Sequence, residues 1–241
     1  MCGSTSNALC RWSEPSWGPD LVTKPPQDVA LAISTSSPSP SIALRLPDGS
    51  ITVLAPPAGA NHLVATIESA FAEHGLAPGD LAELRVDLGP GSYTGLRVAM
   101  TFALMIRAYG EIPVRTATSL ELGALATWTG NEGLANRVLR PVLDARRNRF
   151  HHASIRLDHT VITVDPPRAT SKEELLAAIT PDEVVLADPS IHELLQGVSD
   201  RGSLLPSQPW NASLLFDRRL DCPEADEKDL QPLYLMGSYA E

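Results

Sequence analysis

Apolar positions along the chain alternate between short runs of strand length and longer runs with helical spacing, beginning at Val29. In the first half, this pattern predicts strands at Val29–Ser34, Ser41–Leu46, Ile51–Ala55, Leu84–Leu88 and Pro113–Thr116, and helices at His62–His74, Leu96–Tyr109 and Thr118–Trp128. In the second half, it predicts strands at Val138–Leu143, Phe150–Leu157, Val161–Val164 and Val184–Ala187, a helix capped by Ser171 and a helix near Ile191–Gln196. Each half therefore contains the order of three strands, a helix, a strand and a helix, and the first half adds one further strand and helix.

That order is typical of a ribonuclease-H-like unit, and two such units form the ASKHA architecture of actin, Hsp70 and sugar kinases. We therefore predict an α/β fold with two ribonuclease-H-like lobes, at residues 29–130 and 131–241. The second lobe is expected to be curtailed, because Ser199–Asp229 is rich in turn formers and poorly periodic. Residues 1–28 are proline-rich without periodicity, which indicates a flexible N-terminal extension or an upstream start codon.

The composition, 43% hydrophobic and 20% charged, is typical of a soluble globular protein. The sequence has no apolar run of membrane-spanning length and no signal-peptide pattern at its N-terminus, so we expect a cytoplasmic protein without a membrane partner. The three cysteines share no metal-ligand spacing, and we expect them to be reduced thiols.

The net charge of −10 argues against a protein that grips nucleic acid over its whole surface. A local exception lies in the second half, where arginines cluster around His151 and His152. The cluster consists of Arg137, Arg140, Arg146, Arg147, Arg149 and Arg156. A solvated hairpin face is the favoured interpretation, since strand alternation would divide these side chains between two faces.

A glycine-rich loop, Gly89-Pro90-Gly91-Ser92-Tyr93-Thr94-Gly95, joins a predicted strand to the predicted helix at Leu96–Tyr109. Backbone N–H groups of such a loop can approach an anion at the positive end of a helix. The same residues also make a tight turn, so both interpretations stay open. The candidate nucleotide-binding or anion-binding residues are Gly89, Gly91, Ser92, Thr94, Gly95 and Arg97.

The groups needed for catalysis on this fold are largely missing. Phosphotransferases of the predicted architecture carry an acidic residue at the end of the first strand of each half. The first half has Ser34 there, and the second has Asp144, which is equally explained as a turn residue. The six histidines form no spacing that one helix face could present to a metal, and neither a Walker loop nor a nucleophile elbow is present. The sequence therefore predicts no catalytic and no metal-binding residues.

The predicted helix Leu96–Tyr109 is apolar around nearly its whole circumference, with Arg97, Thr101 and Arg107 as its strongly polar positions. Such a helix must be covered on both sides, and its own sheet covers only one. The second layer is either a neighbouring helix of this chain, such as Leu63–Phe71, or a partner protein. Met100 and Met105 suit an adaptable contact surface.

Four segments together resemble the TsaB family, a glycoprotease-like family whose members belong to the bacterial machinery that places threonylcarbamoyl on adenosine in tRNA. The most specific is Gly89–Arg97 with its helix. Leu31–Thr35 resembles the opening strand, with Ser34 where the family carries Asp, and Val142–Arg146 resembles an Ile-Asp-Ala-Arg segment. Pro232-Leu233-Tyr234-Leu235 resembles the closing Pro-x-Tyr-Leu segment, with Met236 where arginine is usual.

The resemblance implies a non-catalytic subunit that dimerises with and activates TsaD, the transferase that modifies the tRNA adenosine next to the anticodon. It implies contact through the helices Leu63–His74 and Leu96–Tyr109, either with TsaD or with a second copy in a homodimer. The implied interface residues are Leu63, Ile67, Phe71, Leu96, Met100, Ala103, Leu104 and Arg107. It also implies that the small ATPase TsaE joins the assembly, and that ATP or ADP lies near the junction although the chain has no cofactor of its own.

Two alternatives come from other classes of protein. One is an ATP-dependent kinase or hydrolase of the same fold, which the missing carboxylate at Ser34 disfavours. The other is a homodimeric peptidase-like protein, which would need a metal pair or a nucleophile triad. The sequence leaves open whether the free chain is a monomer or a homodimer, whether the arginine cluster contacts tRNA, and whether the chain is a specialised paralogue.

Overall fold

The computed structural model describes residues 28–110, 112–129, 131–134 and 136–235, and the fold contains two five-stranded sheets. The first half contains β1 (Val29–Ser34), β2 (Ser41–Arg45), β3 (Ile51–Leu54), β4 (Pro57–Ala60), α1 (Leu63–Glu73), β5 (Leu81–Asp87), α2 (Tyr93–Gly110), β6 (Val114–Ala117) and α3 (Ser119–Thr129). The second half contains β7 (Val138–Asp144), β8 (Arg149–Leu157), β9 (Val161–Ser171), α4 (Lys172–Ala178), β10 (Glu183–Ala187) and β11 (Ser203–Pro206). The predicted N-terminal extension lies, but for its last residue, outside the described residues.

The two sheets have the same strand order. The first is β3-β2-β1-β5-β6 and the second, read from the other end, is β9-β8-β7-β10-β11. In each sheet the first three strands in chain order pair antiparallel. The fourth strand adds in parallel beside the first, and the fifth adds in parallel beside the fourth. This repeated plan confirms the prediction of an α/β fold with two ribonuclease-H-like lobes in the ASKHA architecture.

The helix buried on all sides is α3, which lies between the lobes. Every residue from Ser119 to Thr127 is buried except Glu121, which is partly exposed. Its leucines share one core cluster with Ala32 of the first sheet and Ile155 of the second. Each fully buried leucine contributes roughly 2 kcal/mol to folding. The two lobes are therefore joined by a continuous apolar layer rather than by a linker.

The outer face of the first sheet is covered by α1 and α2, whose inner sides enter a second core cluster. In α2, Leu96, Ala99, Met100 and Ala103 are buried. Part of the layer over this helix comes from the C-terminal segment, because Ala225 and Leu230 belong to the same cluster. Intrachain packing thus covers more of α2 than its own sheet alone could cover.

The C-terminal segment returns to the first lobe after β11. A short 3-10 helix at Ala212–Phe216 contacts β1, β2 and β5. Further along, the N–H of Ala225 donates to the carbonyl of Val114 at 2.8 Å, and the N–H of Leu233 donates to the carbonyl of Leu88 at 2.8 Å. The second sheet itself lies within residues 138–206, so the predicted second lobe, which was drawn to residue 241, includes a segment that packs on the first lobe.

Several element boundaries differ from those predicted. Helix α2 begins at Tyr93 instead of Leu96, and β9 continues to Ser171 instead of ending at Val164. The predicted helix near Ile191–Gln196 is a 3-10 helix at Pro189–Leu195. Within the described residues, no helix is long and apolar enough to cross a membrane.

Candidate functional site

The strand ends of the first sheet meet at a buried carboxylate, Asp87, the last residue of β5. One carboxylate oxygen accepts hydrogen bonds from Ser34 Oγ at 2.8 Å and from Ser36 Oγ. The other accepts from Ser119 Oγ at 2.8 Å and from the Gly89 N–H at 2.8 Å. A single side chain therefore ties together the end of β1, the glycine loop and the first turn of α3.

Burial dominates the electrostatics of this carboxylate. Asp87 is completely buried, and the resulting loss of hydration raises its pKa above the ordinary value, while the hydrogen bonds from Ser36, Gly89, Ser119 and Ser34 oppose that rise. All four donors come from the protein, so the carboxylate has no open side for a hydrated cation or an attacking group. These four hydrogen bonds stabilise the strand ends.

Sequence reasoning placed Ser34 correctly at the end of the first strand but missed Asp87. The carboxylate lies on the neighbouring parallel strand, where Ile33 pairs with Val86 in the register of β1 and β5. A signal was present in the sequence, since an acidic residue stands directly before Leu88 and the glycine loop, at the carboxyl end of a buried strand.

The glycines of the loop allow close approach between two backbone segments. A Cβ atom at Gly91 would lie 2.2 Å from the carbonyl oxygen of Ser36, and one at Gly95 would lie 2.2 Å from that of Thr35. The Ser92 N–H donates to the Ser36 carbonyl at 2.7 Å, and Thr35 Oγ1 donates to the Gly95 carbonyl at 2.8 Å. The loop therefore packs on the segment that follows β1, which is the tight-turn interpretation of the glycine pattern.

The remaining candidate anion-binding residues lie at the N-terminus of α2. Ser92 Oγ accepts from the Gly95 N–H at 3.3 Å, and Thr94 is exposed. The Arg97 guanidinium is 5.4 Å from the centre of the Tyr93 ring and donates to Tyr93 Oη at 3.1 Å. The amides of Gly89, Ser92 and Gly95 are thus used inside the chain, and anion binding by the loop stays a prediction.

The structure separates the implied interface residues into two groups. Six of them are buried inside the first lobe, namely Leu63, Ile67, Phe71, Leu96, Met100 and Ala103. Leu104 is 37% exposed, and Arg107 makes an ion pair with Glu224 at 3.2 Å. Residues that face the core of this chain are not offered to another protein, so the available contact surface is the outer side of the helix pair.

That outer side carries apolar side chains that the sequence analysis did not single out as contacts, except for Leu104 and Met105. Met105 is 53% exposed on α2, and Val64 is 48% exposed on α1. On another part of α2, this helix and the C-terminal segment enclose a shallow pocket of about 230 Å³, lined by residues that include Arg97, Leu104, Pro232 and Tyr234. The centres of the Tyr93 and Tyr234 rings are 5.4 Å apart at one end of this pocket.

The arginine cluster of the second lobe does not lie on one solvated face. Arg140 is 1% exposed, which contradicts that interpretation for this residue. Its guanidinium forms a two-pronged ion pair with Glu183, at 3.0 Å from Nε and 2.8 Å from Nη2. Arg140 lies on β7, the central strand of its sheet, where residues 139–142 are all buried. A buried cation in such a position requires a paired carboxylate.

His152 completes this buried network. Its Nδ1 is 2.9 Å from Arg140 Nη1 and its Nε2 is 2.9 Å from Thr170 Oγ1. Since the guanidinium can only donate, Nδ1 accepts and the proton lies on Nε2. Burial, together with the positive charge of Arg140, lowers the pKa of His152 to about 4, so the imidazole is neutral at physiological pH.

Asp144, the surviving strand-end carboxylate, caps the turn that follows β7. One of its oxygens accepts from the Arg146 N–H at 2.8 Å, and the other is 3.3 Å from the Arg146 guanidinium. This geometry favours the turn interpretation of Asp144. Among the described residues, no group of three or more His, Cys, Asp or Glu side chains is arranged to hold a metal ion.

Comparison with known proteins adds the family. The family model of TsaD, described as tRNA N6-adenosine threonylcarbamoyltransferase, matches residues 54–184, which is more than half of the chain. A tRNA threonylcarbamoyladenosine biosynthesis protein TsaB from Bacillus subtilis (strain 168) is 31% identical over 162 residues. The chain belongs to the TsaB family. The aligned region spans 66% of this chain and 62% of that relative, less than two thirds of the relative's length.

Two solved structures share the fold of this TsaB-family chain. YeaZ from Pseudomonas aeruginosa matches with a TM-score of 0.69 at 18% identity, over 86% of this chain and 100% of that one. A second crystal structure, of an uncharacterized protein with similarity to peptidase YeaZ from Pseudomonas aeruginosa, matches with a TM-score of 0.68 at 20% identity, over 87% and 100% of the two chains. At these identities the likeness concerns the fold alone.

The segments that resemble the TsaB family have identifiable places in this fold. The opening strand and the glycine loop meet at Asp87. The segment Val142–Arg146 forms the end of β7 and its turn. The closing segment Pro232–Leu235 lies against the end of β5 and the pocket beside α2. Met236 lies outside the described residues.

Proposed function

We propose that this chain is a non-catalytic subunit that pairs with TsaD and activates it in the formation of threonylcarbamoyladenosine in tRNA. Membership of the TsaB family and the name of the Bacillus subtilis relative supply the process. The single observation that supports pairing with TsaD is that α1 and α2 expose apolar side chains on their outer sides. Their inner side chains are already packed against the core of this chain.

This outer side has the character of a docking surface. Val64, Leu104 and Met105 are large, apolar and between 37% and 53% exposed, while the inner side chains of the same helices are buried. Exposed apolar side chains grouped on neighbouring elements mark protein interfaces more often than isolated ones do. Methionine suits such a surface, because its flexible side chain adapts to a partner. A partner that covers these helices would remove such side chains from water.

The buried strand ends support a scaffold rather than a phosphotransferase. Catalysis on this architecture needs an accessible carboxylate at the phosphates. Here Ser34 occupies the end of the first strand, and the neighbouring Asp87 is enclosed by four protein donors. The same enclosure disfavours a peptidase, since the hydroxyls of Ser34, Ser36 and Ser119 all donate to a carboxylate instead of to a histidine base.

The contact assignment is tested by calorimetric titration of variants against TsaD from the same cell. Met105→Glu places a charge in the proposed apolar contact and should weaken binding by about 30-fold or more, the effect of losing a hot spot of roughly 2 kcal/mol. The matched control is Val164→Glu, which introduces the same charge at a 50% exposed apolar position on β9, in the other lobe. We expect the control to bind as the unmodified chain does.

Equal binding by both variants would reject the helix pair as the contact surface. Met100→Glu does not serve this purpose, because Met100 is buried and the substitution would unfold the first lobe together with any interface. Addition of TsaE, formation of a homodimer, and binding of ATP or ADP near the junction stay predictions, and the same titrations with these components test each of them.

A further inference from the structure

The turn between β7 and β8 concentrates positive charge at the edge of the second lobe. Arg146, Arg147 and Arg149 fall within four positions and are all exposed. The side chain of Arg146 is 81% exposed. Arg140 lies in the buried part of β7, whereas Arg146 and Arg147 lie in the turn and Arg149 is the first residue of β8. The three arginines are therefore exposed close to one another in the sequence, directly after the end of β7.

The backbone of this turn is held in a conformation that side chains rarely adopt. Arg146, Arg147 and Asn148 have φ values of 67°, 52° and 57°, in the left-handed region. This conformation is strained for residues other than glycine. Two arginines at these positions are an unfavourable choice for stability alone. Strain of this kind persists only where the surrounding structure fixes it, and it concentrates at functional positions.

Three contacts fix the turn. The Asp144 carboxylate accepts from the Arg146 N–H at 2.8 Å, and the Arg149 N–H donates to the Arg146 carbonyl at 3.1 Å. The N–H of the buried Ala145 donates to the Arg149 carbonyl at 3.0 Å. The arginine side chains thus start from a defined backbone and lose little backbone freedom when they meet a ligand.

The segment Asp144–Arg149 carries three arginines and one aspartate. Elsewhere, seven guanidiniums are paired with carboxylates, those of Arg45, Arg85, Arg107, Arg115, Arg140, Arg168 and Arg219. At the turn, Arg149 donates to the backbone carbonyl of Ala169 at 2.7 Å. Arg146 contacts Asp144, the carboxylate that also caps the turn. Positive charge therefore exceeds negative charge at this turn, in a chain whose net charge is −10.

We propose that this turn contacts the phosphate backbone of RNA, and the proposal rests on the proposed function in tRNA modification. Planar guanidinium groups bind phosphate oxygens through paired hydrogen bonds, which lysine cannot match. The acidic remainder of the surface repels a polyanion, so the contact is local and involves only two or three phosphates. It adds affinity for an RNA that the TsaD subunit already holds.

The test is binding of a fluorescently labelled, unmodified tRNA transcript to the complex of this chain with TsaD, measured over a range of salt concentrations. The variant Arg146→Gln/Arg147→Gln should bind about tenfold more weakly near 0.15 M salt. It should also reduce the slope of log affinity against log salt by about one for each lost phosphate contact. The matched control, Arg201→Gln/Arg218→Gln, removes the same charge at two exposed arginines elsewhere and should change neither quantity.

Three results would overturn the proposal. Unchanged tRNA affinity in the turn variant is one, and equal weakening in the control, which would indicate a general charge effect, is another. The third is a turn variant that keeps its tRNA affinity but loses binding to poly-glutamate, which would assign the turn to an acidic protein. If the unmodified chain fails to bind TsaD, the proposed function fails instead. The same two variants are then compared on the free chain at low salt, where the turn proposal still predicts a difference.

Discussion

The two lobes share one strand order, but the aspartate at one corresponding strand end is buried in the first lobe and exposed in the second. In both, an aspartate marks the end of the strand that comes fourth in chain order within its sheet. Asp87 is the last residue of β5, and Asp188 directly follows β10. Asp87 is buried, and desolvation raises its pKa. Asp188 is exposed, caps the 3-10 helix at Pro189–Leu195 by accepting from the Ser190 N–H at 2.8 Å, and has a pKa lowered by its hydrogen bonds to Ser190.

The difference between these aspartates shows that position in the fold does not decide the chemistry of a side chain. What decides it is the layer laid over the strand end. In the first lobe, α3 and the 18-residue α2 enclose that end. In the second lobe, the corresponding connection after β10 is a seven-residue 3-10 helix, which leaves Asp188 in water. A curtailed lobe therefore keeps its strand order but loses the enclosed polar cluster.

Substitution of each aspartate by alanine should show the largest difference in stability between the two lobes. Asp87→Ala leaves three hydroxyls and one N–H buried without an acceptor, and we expect the free energy of unfolding to fall by about 3–5 kcal/mol. Asp188→Ala removes one exposed cap and should lower it by about 1 kcal/mol. Urea denaturation of both variants measures these values. Equal losses would show that the enclosure of Asp87 contributes nothing of its own.

The second-lobe network predicts an acid-sensitive stability. The pKa of His152 is lowered to about 4 in the folded protein, against 6.5 for the free side chain. A lowered histidine pKa means that the unfolded chain binds the proton more readily. Stability is therefore fully present above pH 6.5 and decreases as the pH falls towards 4, by about 3 kcal/mol for this group.

This pH dependence is checked by urea denaturation between pH 4 and pH 7. His152→Gln should flatten the decrease, although His151, whose pKa burial also lowers to about 4, will retain part of it. His159→Gln is the control, because its side chain is 97% exposed and it should leave the profile unchanged. An unaltered profile in His152→Gln would contradict a neutral buried imidazole.

A smaller effect is expected from the glycine loop. Gly91→Ala brings a Cβ atom to 2.2 Å from the Ser36 carbonyl oxygen, so the two segments must separate, at a cost of about 1–3 kcal/mol. Gly79→Ala is the control, since a Cβ there meets nothing within 4 Å. Thermal unfolding of the two variants tests whether the loop glycines are needed for the close packing of the two segments. Equal melting temperatures would favour a ligand-binding role for them.

The sequence predicted the fold more completely than the site. Alternation and capping signals located both sheets, because each strand is specified by its own short run of residues. The additional strand β11 and the return of residues 212–235 to the first lobe carry no such local signal. They depend on contacts with residues far away in the chain, such as the hydrogen bond between Leu233 and Leu88.

The proposed contact surface on α2 was also only partly predictable, because it depends on residues far away in the chain. The apolar helix was expected to need a second layer, and which of its residues the C-terminal segment covers could not be read from the helix alone. Leu230 packs in the cluster that buries Met100, while Met105 on the same helix stays exposed. Periodicity alone could not show which of these two methionines is buried. It describes the spacing of residues along one helix and not the segments that pack against that helix.

The central claim is that this chain is a scaffold that acts by pairing with TsaD. The most direct test is the molar mass, by light scattering after size-exclusion chromatography, of an equimolar mixture of the full-length chain and TsaD. We expect one species whose mass is the sum of the two chains. Met105→Glu should separate it into the two individual masses, and Val164→Glu should leave it intact. Two independent species in the unmodified mixture would contradict it.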